Sequence, residues 1–435
     1  MSAPLLAGRR YAVLGLARSG LATLAFLARS GASAIAWDKS EEARVRAASI
    51  AGVTLADLET MPLAGLDGLV LSPGVPLNTH PLAARARAAG VPILGDMELF
   101  QAVRPTLQPH RLAGITGTNG KSTTTALLHH LLEAAGRPAR LGGNIGLPIL
   151  GEAPLPAGGI YVLELSSFQI DLSHSLACDV AVLTNITPDH LDRYVDFADY
   201  AAAKARLFAM QPDGATAIVA IDTPPARAVA EALGQARRLN LMTVSGADIR
   251  APDQARWPTL QGPHNAQNAA CAVAAARALG LSDAEIEAGL RSYRGLPHRM
   301  EILDIINGVR FVNDSKATNP DSTAPALSAF PGIHWILGGQ AKTEDLDACI
   351  PHLSGVRAAY VIGEAAALFQ RLLAPHLPVT VAGTLDSAVA SAAAAASAGE
   401  TVLLSPACAS FDQFRDYEAR GDAFRAAVAR LKAAA

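Results

Sequence analysis

Short apolar runs alternate along this chain with longer stretches in which apolar positions return every three or four residues. The first pattern predicts strands buried on both faces, the second helices packed against them. Strand candidates open a first unit at residues 11–16, 34–37, 68–71 and 91–94, with a helical pattern over 19–29. Residues 105–110 are polar and proline-bearing, as linkers are. A second unit follows, with strands at 111–116, 161–165, 180–184 and 216–221 and helical patterns over 197–210, 265–279 and 283–291. Residues 295–299 read as its exit. A third unit starts with a hairpin, 302–306 and 309–313, turning at Asn307-Gly308. It continues with strands at 335–337, 359–362 and 401–404, and the alanine-rich tract 388–398 reads as helix. The alternation predicts an α/β chain of three parallel-sheet units, 1–104, 105–300 and 301–435.

Composition narrows the class. Half of the 435 residues are hydrophobic and 17% are charged, which suits large buried sheets, and a length of this order calls for several cores. A net charge of -3 gives no electrostatic reason to expect a nucleic-acid partner, so anionic ligands must be held by local clusters. The four cysteines are far apart, without a C-x-x-C pair or zinc spacing, and are expected as free thiols in a reducing compartment. The start lacks a basic region ahead of its apolar residues, and the longest uncharged run, 322–341, is broken by Pro325, Pro331 and Gly332. The expectation is a cytoplasmic protein without membrane insertion.

The strongest chemical signal follows residues 111–116. Ile115-Thr116-Gly117-Thr118-Asn119-Gly120-Lys121-Ser122-Thr123 reads as a strand, a glycine-rich turn and a helix start. Such a turn points N–H groups inward at the positive end of the helix, which makes a phosphate cradle. Lys121 would reach the terminal phosphates, and the Ser122 hydroxyl would sit beside magnesium. The spacing G-x-x-G-K-S is a short variant, because Ile115 stands where the longer motif has its first glycine.

Three further residues stand out in the same unit. Glu164 lies inside an apolar run, where a carboxylate needs a cation: a buried salt bridge or a magnesium ion. His190, between Asp189 and Asp192, follows the next strand and belongs to the carboxyl edge, where open parallel sheets bind ligands. Lys204 shares a helical face with Phe197, Tyr200, Ala201, Leu207 and Phe208. Burial would lower its pKa and leave an amine able to take up carbon dioxide as a carbamate; the alternative is a lysine that snorkels to water. In the first unit, Gly15-Leu16-Ala17-Arg18-Ser19-Gly20 with Asp38 approximates a dinucleotide fingerprint. Ala17 occupies a glycine position of that pattern, which leaves either a nucleotide diphosphate in a related pose or a structural turn.

In this order the motifs resemble those of the Mur ligase family of cell-wall amino-acid-adding enzymes, over essentially the whole chain. The resemblance is carried by residues 117–122, Glu164-Leu165-Ser166-Ser167-Phe168-Gln169, Asn185-Ile186-Thr187-Pro188-Asp189-His190, His264-Asn265-Ala266-Gln267-Asn268, His298-Arg299-Met300-Glu301, and the runs 313–319 and 404–414. Its D-glutamate-adding branch is the nearest match. The resemblance implies a Rossmann-like UDP-binding domain over 1–104, a P-loop ATP-binding domain over 105–300 and a Rossmann-like amino-acid-binding domain over 301–435. It implies ATP contacts at Gly117, Thr118, Asn119, Gly120, Lys121, Ser122, Thr123, Asn268, Arg299, Asp314 and Lys316. Of two magnesium sites, one would involve Ser122, the other Glu164, His190 and a carbamylated Lys204. UDP-N-acetylmuramoyl-L-alanine would lie near Leu16, Ala17, Asp38, Ser72, Gly74, Asn144 and His190, and D-glutamate near Thr318, Lys342, Ser410 and Phe411.

Catalysis would then rest on Lys121, Glu164, His190, Lys204 and Lys316, through an acyl phosphate made from ATP and the L-alanine carboxylate. A monomer is expected. Two other readings stay open on these residues: a sibling ligase, folate polyglutamate ligases included, and a non-catalytic nucleotide switch. A Rossmann oxidoreductase fits least, given Ala17 and the lack of a hydride-transfer constellation.

Overall fold

In the computed structural model, which describes residues 1, 4–77 and 79–434, the chain builds three helix-covered sheets. It falls into two compact units, Met1–Asp248 with Gln267–Leu290, and Ile249–Ala266 with Arg291–Ala435. The first unit holds two sheets and the second unit one.

The first sheet consists of β1 (Arg10–Leu14), β2 (Ser33–Trp37), β3 (Val53–Leu55), β4 (Gly68–Leu71) and β5 (Ile93–Leu94), in the order β3-β2-β1-β4-β5. All pairs are parallel. The helix Arg18–Arg29 buries Leu24, Phe26 and Leu27 beneath it. The second sheet has β6 (His110–Thr116), β7 (Ala139–Gly143), β8 (Gly159–Glu164), β9 (Val180–Leu183), β10 (Thr216–Ala220) and β11 (Asn240–Val244), in the order β11-β10-β9-β6-β8-β7 and parallel throughout. From β6 the chain goes out to one side through β7 and β8, then crosses to β9 on the other. That reversal opens a crevice beyond the carboxyl end of β6, the place where such sheets take ligands.

The second unit contains β12 (Glu301–Ile306), β13 (Val309–Asn313), β14 (Ile333–Gly338), β15 (Val356–Ile362), β16 (Val379–Gly383) and β17 (Thr401–Leu404), ordered β12-β13-β17-β14-β15-β16. Only β12 and β13 are antiparallel within it. Asn307 and Gly308 turn their hairpin with φ of 51° and 80°, as a tight two-residue loop requires. The sheet is apolar on both faces: Trp335 and Leu337 enter one core, Ile336 and Leu404 the other.

The α/β architecture with parallel sheets agrees with the pattern of the sequence. Four strands escaped that pattern: β3, β7, β11 and β16. Each lies at a sheet edge, where half-exposed residues replace the continuous apolar run. The strand expected at 91–94 shrinks to Ile93–Leu94 for the same reason. The alanine-rich helix is Leu385–Ala395, ending ahead of the turn at Gly399, whose φ is 92°. Residues 295–299, read as an exit from the second unit, group with the third sheet.

Candidate functional site

β6 ends at Thr116, and the helix Lys121–Ala134 begins four residues after Gly117. Gly117 has φ 148°, and a Cβ there would lie 2.0 Å from Thr184 Oγ1. Gly120, at φ 79°, would meet Asn268 Oδ1 at 2.1 Å. Both glycines are therefore needed for the turn to close against its neighbours. Asn185 clamps the turn from the next strand: its carbonyl accepts from Thr118 N at 2.9 Å, and its side chain accepts from Asn119 N at 2.8 Å. Gly120 provides no side-chain cap to the helix start, whose positive end faces the turn and favours an anion. Lys121 Nζ donates to Thr118 O at 2.7 Å, which keeps the cation on the turn, and Ser122 and Thr123 are buried behind it. Asn268 joins the cluster, accepting from Thr124 Oγ1 at 3.3 Å.

Lys204 lies on the helix Phe197–Ala209 and is 2% exposed, so it does not snorkel. Its Nζ donates to Gly117 O at 2.7 Å and sits 4.5 Å from the centre of the Tyr200 ring. Burial, and then the Lys121 cation, hold its pKa well below the ordinary lysine value. Glu164 ends β8, directly paired with Ile115, and is 1% exposed. Its Oε1 accepts from Asn144 Nδ2 at 2.8 Å, while among the described residues the buried Oε2 has no hydrogen-bond partner. Among the described residues Glu164 thus forms no direct salt bridge, although it is within electrostatic reach of Lys204, and Oε2 keeps a desolvation cost that no hydrogen bond offsets.

His190 follows β9 on a half-open loop, φ 53°, with its ring 4.9 Å from Phe168 and 6.5 Å from Tyr200. Partial burial lowers its pKa and the nearby Asp189 opposes that shift, which leaves a mainly neutral imidazole at neutral pH. Glu164, His190 and Lys204 thus share the carboxyl edge with the turn. Among the described residues no three His, Cys, Asp or Glu side chains form a metal cage, so a cation here would need a further oxygen donor.

A cleft of about 240 Å³ opens beside this edge, lined by Ala17, Arg18, Ser19, Pro73, Gly143, Asn144, Gly146, Pro148 and Gln169. Asn144 thus bridges the cleft and Glu164. Of the first-sheet residues expected around UDP-N-acetylmuramoyl-L-alanine, Ala17 lines the cleft. Leu16 is fully buried, and Asp38 spends both oxygens on backbone, accepting from Leu16 N at 2.6 Å and from Ser40 N at 2.8 Å. Ser72 packs on Gly15, and Gly74 is exposed one residue past Pro73.

The remaining expected residues belong to the second unit. Asp314 follows β13, is 4% exposed, and accepts from Met300 N at 3.1 Å and Ser405 Oγ at 2.8 Å. Burial pushes its pKa up to about 7, against the pull of these donors and of Arg299. Arg299 also lies near His264, whose pKa burial depresses to about 4. Lys316 Nζ stands 5.3 Å from the Tyr417 ring centre, and Lys342 Nζ donates to Thr318 Oγ1 at 3.3 Å. Ser410 is buried, and Phe411 is 69% exposed.

Three matches with family models cover most of the sequence: the MurD-like N-terminal domain of Mur ligases over residues 9–95, the Mur ligase middle domain over 115–256, and the Mur ligase glutamate ligase domain over 298–408. The chain is 59% identical to the UDP-N-acetylmuramoylalanine–D-glutamate ligase of Sphingopyxis alaskensis, across 98% of either chain. The chain belongs to the Mur ligase family. The enzyme of the same name from Zymomonas mobilis is 51% identical, over 99% of this chain and all of that one. Among solved structures, MurF of Acinetobacter baumannii shares the fold at a TM-score of 0.63 and 18% identity, covering 97% of this chain and 93% of its own.

Several residues of this Mur ligase escaped the sequence reading. Tyr200 was visible only as part of an apolar face, yet its hydroxyl lies 3.1 Å from Thr118 Oγ1 while its ring supports Lys204. Asn185 stood within a motif without a role. Arg420, 1% exposed, donates to carbonyls of Ser315, Cys408 and Ala409 and so ties the run 313–319 to 404–414; nothing local in the C-terminal helix marks it.

Proposed function

We propose that this chain is an ATP-dependent ligase that joins D-glutamate to UDP-N-acetylmuramoyl-L-alanine in peptidoglycan precursor synthesis. The observation that carries this is its 59% identity, end to end, with a ligase of that name. We assign the three domains as 1–104 for the UDP substrate, 105–300 for ATP and 301–435 for the amino acid; one sheet in each supports this. Among the described residues no helix is long and apolar enough to cross a membrane, and a cytoplasmic monomer is the form proposed.

An amide does not form from a carboxylate and an amine in water until the carboxylate is activated. The L-alanine carboxylate attacks the γ-phosphorus of ATP, and ADP leaves. The D-glutamate amine then attacks the acyl carbon, gives up a proton, and inorganic phosphate leaves. Gly117 to Thr123, with Asn268, Arg299, Asp314 and Lys316, bind the nucleotide in this reading, and Lys121 offsets the charge of two anions brought together.

Magnesium, when bound, supplies further positive charge between the phosphates and the carboxylate. The residues fit it: the unpartnered Oε2 of Glu164, a neutral His190 and the Ser122 hydroxyl are oxygen and nitrogen donors of the right kind. Lys204 completes the set only as a carbamate, and its depressed pKa keeps the amine free to react with carbon dioxide. Asn144 and His190 face the muramoyl end, while the turn of Leu16 and Ala17, held in place by Asp38, borders the uracil side together with Ser72 and Gly74. Thr318, Lys342, Ser410 and Phe411 receive D-glutamate, with the Lys342 ammonium on a carboxylate.

The test is ADP release with UDP-N-acetylmuramoyl-L-alanine across a panel of amino acids. Release that needs D-glutamate is expected. Release driven by another amino acid identifies a sibling ligase, and nucleotide binding without release identifies a switch.

A further inference from the structure

The loop that carries His190 runs over the surface, with Pro188, Leu191 and Asp192 exposed around it. A ligand residue on such a loop needs something that fixes it. Arg193 supplies contacts in three directions. Its backbone N–H donates to His190 O at 2.9 Å, which closes the turn. Its guanidinium lies 4.3 Å from the centre of the Phe168 ring, the same ring that stands 4.9 Å from the His190 imidazole. The guanidinium also donates to the carbonyls of Pro73 at 3.4 Å, Gly74 at 3.3 Å and Val75 at 3.1 Å, in the turn after β4. Free space in this seam is about 10 Å³, enough for a single water.

We propose that Arg193 is a positioning residue that clamps the His190 loop to the 72–75 turn, so that one guanidinium sets both sides of the muramoyl substrate's site. The inference rests on the function proposed above. A planar fork can stack on Phe168 and still reach successive carbonyls; a lysine ammonium is a point charge and cannot do both. Charge alone is therefore insufficient.

Two measurements on the full chain test this. In the ligand-free protein, Arg193→Ala should speed amide hydrogen exchange in both 72–76 and 187–193 and leave 110–116 unchanged; unaltered exchange in 72–76 overturns the clamp. In turnover, Arg193→Ala should raise KM for UDP-N-acetylmuramoyl-L-alanine about tenfold, with KM for ATP and D-glutamate held within about twofold. Arg193→Lys should behave like the alanine variant. Full recovery with lysine, or an equal rise in all three KM values, overturns the proposal. A wild-type chain without D-glutamate-dependent turnover sinks the functional reading instead, and the exchange experiment then decides the clamp by itself.

Discussion

Lys204 shows how one side chain acquires chemistry from its surroundings. Buried under Tyr200 with its amine on Gly117 O, it has its pKa pushed well below the ordinary lysine value, which favours the neutral amine, a nucleophile toward carbon dioxide. Removing dissolved carbon dioxide from assay buffers should lower the ligation rate, and bicarbonate should restore it; a rate indifferent to both argues against the carbamate. Asp314 is the second buried ionisable group with a visible consequence. Its pKa is raised from 3.8 to about 7, so the folded chain holds a proton that the unfolded chain releases between those values. The folded state then loses stability as pH climbs through that window and levels off above it. The thermal midpoint of the wild type should therefore fall between about pH 5 and pH 7, more steeply than that of Asp314→Asn. Equal slopes in the two proteins contradict the burial argument.

At the scale of elements, the phosphate turn is the most exacting. Gly120 is held left-handed with Asn268 at the position of the missing Cβ. Gly120→Ala should raise KM for ATP about tenfold or more, since a side chain in that conformation costs about 1–2 kcal/mol before any clash. A KM within twofold of wild type would show that the turn yields easily. This turn was legible in the sequence because its function demands particular residue types in a row. So were the central strands, whose apolar runs are buried on both faces. The edge strands β3, β7, β11 and β16 were not, because half-exposed strands lack a run and their pairing is set by neighbours distant in sequence. The contacts of Tyr200, Arg193 and Arg420 were hidden for a related reason. Their roles come from carbonyls and rings that only tertiary folding brings together. Asp38 is a partial case: its place after β2 was foreseen, but its carboxylate is engaged by Leu16 and Ser40 amides.

For the whole molecule, the expected ATP residues divide between the two compact units, with the turn and Asn268 in one, and Arg299, Asp314 and Lys316 in the other. Nucleotide binding should stabilise the folded protein by mass action, about 2.7 kcal/mol at a hundred times Kd. ATP analogue with magnesium should therefore raise the thermal midpoint of the wild type, and of Lys121→Ala much less at the same concentration. Equal shifts would remove Lys121 from the nucleotide site. The central claim, however, is chemical: the substrate carboxylate itself becomes phosphorylated. Ligation run with both L-alanine carboxylate oxygens labelled with oxygen-18 measures this directly. One labelled oxygen in each inorganic phosphate released is the predicted result, and phosphate free of the label would contradict the account.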